Sequence, residues 1–184
     1  MGISHIALAV KGIHATHEFY TEAMGFELAK VEVVPKPSGF ARHAFYTTGS
    51  DVDQMIAFWD LSNAGGSAEL KTDIGRDLGL DPGTNHLAFQ ADDLDDLARR
   101  RDRLRANGYD VLEIDHGWIQ SIYVEDPDGI MVEFATMTQP FTPDDAKEAL
   151  ELLQADAPPL SPDKAMMTVH TAASYQAGDH AASS

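Results

Sequence analysis

The 184-residue chain carries a net charge of -17 and contains no cysteine, while its hydrophobic (43%) and charged (23%) fractions are those of an ordinary globular protein. Nucleic-acid binding is disfavoured, because phosphates require clustered lysine and arginine. Disulfides, thiolate nucleophiles and zinc–thiolate sites are excluded, so any metal must be held by histidine, carboxylate or carbonyl ligands, and the chain has eight histidines.

The chain begins with "MGISHIALAV", which lacks the basic flank and long apolar core of a signal peptide. No segment approaches the ~20 apolar residues of a membrane span, so we expect a cytoplasmic protein. The strand "HIALAV" (5–10) precedes a helix whose end is marked by Gly25. The pattern then predicts, in order, a helix over 13–24 and strands over 30–34, 41–47 and 54–59.

The next stretch (62–85) is a connector that contains glycine and aspartate, and we expect a surface loop with one turn of helix. A second copy of the pattern comes after it. "HLAFQA" at 86–91 repeats the first strand. The remaining predicted elements of the second copy are a helix over 94–106 and strands over 110–115, 119–124 and 130–136. An unrelated α+β domain is the alternative, but the shared order of elements favours a duplicated β-α-β-β-β module.

The character of the chain changes after residue 138. Thr142 and Pro143 predict a helix start, and the helix over 142–154 has one apolar side. "ADAPPLSPDK" then interrupts regular structure, and the last dozen residues are typical of a mobile tail. We expect this extension to serve packing or subunit contact.

Three polar residues lie on predicted strands of the two copies, and two of them occupy matching places. His5 and His86 begin the first strands, and Glu133 lies in the last strand of the second copy. Each shares its face with an alanine two positions on, which leaves room for a cavity. A strand histidine taken singly is more often structural, but equivalent positions in a duplicated module favour ligands. Two imidazoles and a carboxylate suit non-haem Fe(II), with Mn(II) or Zn(II) as alternatives, and a cation would satisfy the otherwise buried carboxylate.

The duplication also predicts what is missing from the metal site. Aligning "QMIAFW" with "IMVEFA" places Ala57 at the position of Glu133. Symmetry therefore supplies no fourth protein ligand. We expect three protein ligands and more than one open position, which suits a substrate and a second small molecule that both reach the metal.

The stretches "HIALAV", "FYTEAMGFEL", "HLAFQADDLDDL", "LRANGYDV" and "YVEDPDGIMVEF" resemble the vicinal oxygen chelate superfamily of glyoxalase I, extradiol dioxygenases, fosfomycin-modifying enzymes and bleomycin-resistance proteins. The resemblance covers about residues 3–137. It implies an α+β fold in which two βαβββ modules form a U-shaped, partly closed mixed β-sheet around a metal. The predicted domains are a first module (1–61), a connector (62–85), a second module (86–138) and a C-terminal helical extension with a disordered tail (139–184).

One longer stretch, "HGWIQSIYVEDPDGIMVE", resembles the signature of type I extradiol ring-cleavage dioxygenases. The resemblance implies that Glu133 binds Fe(II) together with His5 and His86. His116 and Tyr123 would be catalytic groups that hydrogen-bond a substrate hydroxyl or the dioxygen-derived ligand. Judged without the resemblance, His116 is a turn residue and Tyr123 a core aromatic.

The chain departs from the extradiol pattern at one position. Such enzymes usually carry a further active-site histidine, a candidate base, on the last strand of the preceding module, and that strand here reads "DQMIAFW". Gln54, Asp53 or Asp60 would occupy the region instead, or His43 would reach in from the neighbouring strand.

These features predict an Fe(II)-dependent extradiol dioxygenase that opens a catechol-type ring with O2, as in aromatic hydrocarbon catabolism. A glyoxalase-type lyase or isomerase, or a thiol transferase, is the alternative, although Ala57 suits neither the second carboxylate nor the base that such enzymes usually need. A binding protein of the bleomycin-resistance kind typically lacks the metal triad. The expected partners are a small aromatic diol, O2 and further copies of the chain in a homodimer or higher homo-oligomer.

Overall fold

The computed structural model describes residues 3–49, 54–65, 70–160 and 165–173. These residues form two mixed β-sheets of four and five strands with helices packed on one face of each sheet. The duplicated βαβββ plan is confirmed. None of the helices in these ranges is both long and apolar enough to span a membrane.

The first module forms the four-stranded sheet, with strand order β1-β4-β3-β2. Its elements are β1 (His5–Val10), α1 (Ile13–Glu18) with a π-helical continuation (Phe19–Ala23), β2 (Glu27–Lys36), β3 (Gly39–Thr47) and β4 (Met55–Asp60). The helix ends at Gly25, whose φ of 79° is left-handed. A Cβ at this position would collide with the guanidinium of Arg103 from the second module, so glycine also permits the modules to approach closely.

The second module repeats this arrangement in the order β5-β8-β7-β6. Its elements are β5 (His86–Gln90), α2 (Leu94–Ala106), β6 (Val111–Asp115), β7 (Ile119–Glu125) and β8 (Met131–Met137). Helix α2 begins where the Asp93 side chain accepts a hydrogen bond of 2.7 Å from the backbone N–H of Asp96. In the described part of the connector (62–65 and 70–85) the one helical element is a 3₁₀ turn (Arg76–Leu78).

Each sheet buries one face against the helices and leaves the other face for the candidate site. In the second sheet the buried face carries Val111, Ile122, Val124, Val132 and Phe134. The ring of Phe26 in the first module packs edge-on against Phe89 and Phe134, at centroid distances of 5.0 and 6.0 Å, and so joins the two modules. The two sheets are not hydrogen-bonded to each other in the described residues, where β1 and β5 are both edge strands.

The "DPDG" turn between β7 and β8 ties the second module to the first. The hydroxyl of Tyr20 donates to Asp126 at 3.0 Å, and the backbone N–H groups of Asp128 and Ile130 donate to the same carboxylate at 2.9 Å. Asp128 in turn accepts from the backbone N–H of Lys11 at 2.8 Å. Burial raises the pKa of Asp126 to about 6. The turn is therefore a structural element.

The described part of the C-terminal extension contains one helix and one strand. Helix α3 (Pro143–Gln154) has the predicted Thr142 cap and capping box, but none of its residues is buried in the single chain. Strand β9 (Met166–His170), where the sequence predicts no element, lies before the expected tail and pairs antiparallel with β6 as the fifth strand of the second sheet. The edge of β6 offers unpaired backbone groups, and this tertiary partner is not visible in local sequence pattern. Residues 174–184 of the expected tail lie outside the described residues.

Candidate metal centre

The second module brings a histidine and a glutamate into contact. Strands β5 and β8 run parallel with Ala88 opposite Glu133, which puts His86 on the same face as the glutamate. Nε2 of His86 lies 3.0 Å from Oε2 of Glu133. The Glu133 side chain is 6% exposed and that of His86 is 35% exposed, so the carboxylate lies deep and the imidazole lines the open side.

The orientation of His86 is fixed by its second ring nitrogen. Nδ1 lies 2.8 Å from the carbonyl oxygen of Gly83, and because a carbonyl only accepts, Nδ1 is the protonated nitrogen. In the neutral imidazole the lone pair of Nε2 therefore faces the Glu133 carboxylate, an arrangement that a cation between them would stabilise. Metal-binding histidines are typically held in this way by a carbonyl or carboxylate.

The spacing of the two donor atoms also fits a divalent metal. Two ligand atoms at right angles, each about 2.1 Å from a metal ion, lie about 3.0 Å apart. The observed separation between His86 Nε2 and Glu133 Oε2 is 3.0 Å. The pair could thus hold a metal such as Fe(II), Mn(II) or Zn(II) without rearrangement.

Tyr123 and His116 lie beside this pair. Tyr123 on β7 is opposite Glu133 on β8, and its ring is edge-on to that of His86 at a centroid distance of 6.0 Å. Burial raises the pKa of the Tyr123 hydroxyl, and the Glu133 carboxylate adds to the rise. Nε2 of His116 lies 3.4 Å from the Tyr123 hydroxyl. The structure therefore brings together four of the five predicted site residues.

His5, the fifth predicted residue, lies on the other sheet. It is exposed on edge strand β1, with Nδ1 3.4 Å from the Ser4 hydroxyl and its ring 5.9 Å from that of Phe45. Within the described ranges no group of three or more histidine, aspartate or glutamate side chains could hold a metal ion. One chain by itself does not bring His5 to His86 and Glu133.

The strand registers confirm the predicted symmetry between Ala57 and Glu133. In the first module Ala7 lies opposite Ala57, and in the second Ala88 lies opposite Glu133. Phe45 faces Ala57 across the strands as Tyr123 faces Glu133. The first module therefore presents an apolar surface where the second presents the carboxylate and the phenol.

Two of the candidates for the missing histidine are accounted for. Asp60 is buried and accepts hydrogen bonds from Arg42 at 2.9 Å and from the backbone of Ser62 at 3.0 Å, so it is structural. Gln54 lines a cleft of about 500 Å³ between the edges of β1 and β5. Asp53 lies outside the described residues.

His43 is the candidate that the structure makes most distinctive. It is 8% exposed and stacks on Trp59 at 3.9 Å with an interplanar angle of 11°. Its Nε2 is buried and has no hydrogen-bond partner among the residues that the structure describes, and burial lowers the pKa of the imidazole. The alternation of β3 places His43 on the same face as Phe45, a signal that sequence parity could have given. Trp59 therefore forms part of an aromatic wall on the open face of the first sheet.

Two paired βαβββ modules are the arrangement of the glyoxalase fold. The chain belongs to the glyoxalase/bleomycin resistance protein/dioxygenase superfamily, whose family model matches residues 2–134. No curated protein sequence matches the chain.

Solved structures share this fold at low sequence identity. A glyoxylase/bleomycin resistance protein/dioxygenase domain from Frankia sp. EAN1pec is 20% identical with a TM-score of 0.56, covering 74% of this chain and 98% of that chain. The fosfomycin resistance protein FosX from Listeria monocytogenes, complexed with Mn(II) and sulfate, is 23% identical with a TM-score of 0.50, covering 74% and 93%. A superfamily protein from Nocardioides is 23% identical with a TM-score of 0.51, covering 78% and 87%.

Proposed function

We propose that the protein is an Fe(II)-dependent extradiol dioxygenase that opens the ring of a catechol-type substrate with O2. The observation that carries this proposal is the position of Tyr123 and His116 beside the His86–Glu133 pair. A simple binding protein has no need of a phenol and an imidazole in hydrogen-bond reach of each other next to two metal-binding side chains. The apolar Ala57, which occupies in the first module the position equivalent to Glu133, supports an open site.

The proposed roles follow from the geometry of the side chains. Fe(II) bound at the site would bind the vicinal oxygens of the diol and supply the redox chemistry that O2 requires. The raised pKa of Tyr123 keeps its hydroxyl protonated at neutral pH, so it can donate a hydrogen bond to a substrate oxygen. His116, 3.4 Å from that hydroxyl, can take up or return a proton as bonds to oxygen change.

We further propose that His5 of a second copy of the chain completes the metal centre. In the described residues the outer edges of β1 and β5 have no strand partner, so their backbone N–H and C=O groups favour pairing with another strand. Ile6 of β1 and Ala88, Phe89 and Gln90 of β5 line a cleft of about 500 Å³. Joining β1 of one copy to β5 of another would unite the open faces that carry His5 and His86. The result is a homodimer with two shared sites.

The activity is tested by loading anaerobically purified protein with Fe(II) and exposing it to a panel of catechols in air. We expect oxygen uptake equal to the amount of substrate consumed and a yellow ring-fission product. Protein loaded with Ni(II) or Zn(II) and given a glutathione hemithioacetal is the comparison. Turnover of that substrate without any reaction of catechols would contradict the proposal and favour a glyoxalase-type enzyme.

The shared site is tested by mixing two inactive variants, His5→Ala and His86→Ala. If each site takes its histidines from two subunits, a mixed dimer has one intact site, and the mixture should regain about a quarter of wild-type activity. Native mass spectrometry of the mixture measures subunit exchange, and each variant mixed with wild type, expected at about half of wild-type activity, is the matched control for mixing. A mixture that exchanges subunits but stays inactive would show that both histidines act within one chain.

A further inference from the structure

Strand β9 continues the face of the second sheet that carries the candidate metal centre. Glu133 lies opposite Tyr123, Tyr123 opposite Leu112, and Leu112 opposite Val169. Residues directly opposite each other in antiparallel strands share a face of the sheet. One unbroken row therefore runs from a metal-binding carboxylate to the C-terminal strand.

A neighbouring row reaches β9 in the same way. Ser121 lies opposite Ala135 and Ile114, and Ile114 lies opposite Met167. Met167 and Val169 thus stand side by side at the outer border of the site face, and both are apolar.

Exposure rises steadily along the row. Glu133 is 5% exposed, Tyr123 and Leu112 are half-buried, and Val169 is 67% exposed, as is Met167. Two large apolar side chains in water, at the end of a row that starts at the metal ligands, are typical of a wall that a ligand covers.

The span from the metal ligand to β9 sets the size of that ligand. Three strand spacings of about 4.8 Å place Val169 roughly 14 Å from Glu133 along the sheet. A one-ring diol held through its two oxygens ends well short of Val169. We propose that Met167 and Val169 form the outer wall of the substrate pocket, and that the substrate carries an apolar group, such as a second ring, beyond its diol. This inference rests on the proposed function for the position of the diol.

The wall is held in place by polar contacts of β9. His170 Nε2 lies 2.7 Å from Glu113, whose carboxylate also accepts from Arg101 at 3.1 Å. The backbone N–H of Ala172 donates to Asp110 at 2.7 Å. These contacts hold β9 in place, so its surface is formed before a ligand binds. The strand lies beyond the superfamily match, which ends at residue 134.

Other occupants of this surface are disfavoured by its position. Strand β9 is at the opposite edge of the second sheet from β5, so the subunit contact proposed above leaves Met167 and Val169 uncovered. The continuity of the surface with Tyr123 and Glu133 favours the substrate.

The chain offers a matched control for this proposal. Met166 and Thr168 alternate with Met167 and Val169 on β9, and they point to the opposite face. Met166 is 70% exposed, close to the value for Met167. The test compares M167S/V169S with M166S/T168S, each loaded with Fe(II), using catechol and 4-phenylcatechol as substrates.

We expect M167S/V169S to lower kcat/KM for 4-phenylcatechol about tenfold more than it lowers kcat/KM for catechol. M166S/T168S should alter neither value. Equal kcat/KM ratios in both variants would overturn the inference while the proposed function stands. The milder Val169→Thr variant, which keeps the shape of the side chain, should shift the ratio in the same direction if the double variant does not fold.

Failure of the proposed function gives a different pattern. In that case the wild-type protein turns over neither catechol, and anaerobic binding of 4-phenylcatechol to the metal-loaded protein becomes the readout. Weaker binding to M167S/V169S than to M166S/T168S would support the wall, and equal binding would overturn it.

Discussion

The two modules share one backbone plan and differ in what they place on the open face of the sheet. At equivalent positions the second module has Glu133 and Tyr123 where the first has Ala57 and Phe45. The next pair is Ser121 and Ala135 in the second module but His43 and Trp59 in the first.

The two modules differ in the side chains that surround these positions. The second module carries the small residues Ser121 and Ala135 beside its carboxylate. The first carries the stacked rings of His43 and Trp59 at the equivalent positions, and His5 is exposed on its edge strand β1. The open face of the second module therefore carries a carboxylate and a phenol, and that of the first carries aromatic rings.

The largest expected effect comes from removing the carboxylate that only the second module has. Glu133→Ala should abolish retention of Fe(II) and reduce oxygen uptake to background, because His86 loses the partner 3.0 Å away. Metal content after gel filtration measures this. Glu125→Ala is the control, since Glu125 is on the same face but pairs with Arg76. Unchanged metal content in Glu133→Ala would show that the ligand assignment is wrong.

The second prediction exchanges the ring types of the two modules. Tyr123→Phe should lower kcat/KM for a catechol by about 10- to 100-fold, the usual effect of losing a hydrogen bond to a charged group. Phe45→Tyr, at the equivalent place in the first module, should change kcat/KM little. Equal effects of the two substitutions would contradict the assignment of Tyr123 to the substrate.

The third prediction concerns the Asp126 turn that joins the modules. The pKa of Asp126 is raised from 3.8 to about 6, so the folded state binds more protons than the unfolded state between these values. Stability should therefore fall as pH rises from 4 to 6. Asp126→Asn removes this dependence, and its free energy of unfolding relative to wild type should shift upward by roughly 2 kcal/mol across the window.

Urea unfolding at several pH values measures this shift. Asp144→Asn, on the exposed helix α3, is the control for a general charge effect. A constant difference between wild type and Asp126→Asn from pH 4 to 7 would contradict the raised pKa.

The smallest effect is expected for His43 of the first module, where stability should change with pH in the opposite direction to that for Asp126. Burial lowers the pKa of His43 below its usual 6.5, so the folded state binds fewer protons than the unfolded state. Stability should fall as pH falls below 6.5. His43→Phe keeps the stacking on Trp59, removes the unpaired Nε2, and should abolish this acid loss, a change smaller than that for Asp126. Thermal unfolding at pH 5.5 and 7.5 measures it, and an equal acid loss in both proteins would contradict it.

Much of the fold could be predicted from local pattern. In each module the helix and the three strands that follow it lie within a few residues of their predicted bounds. Alternating apolar residues indicate the strands, and glycine turns indicate where the elements end. Strand β9 was missed, since a short edge strand is stabilised by its neighbour β6 and not by its own composition.

Part of the site could also be predicted from the sequence. Strand alternation and repeat symmetry predict that His86, Glu133 and Tyr123 share one face, because alternation follows from backbone geometry alone. Parity could not say whether His5 lies near them, since that depends on how two sheet edges are joined.

By itself the sequence determined the duplicated modules, the faces of their strands and the asymmetry between Ala57 and Glu133. Only the tertiary structure decided which nitrogen of His86 is free, that His43 stacks on Trp59, and that β9 extends the site face. The physical reason is the separation in sequence of the residues that interact. Alternation and capping act between residues close in sequence, whereas a hydrogen bond to Gly83 or a fifth strand depends on groups that the folded backbone brings together.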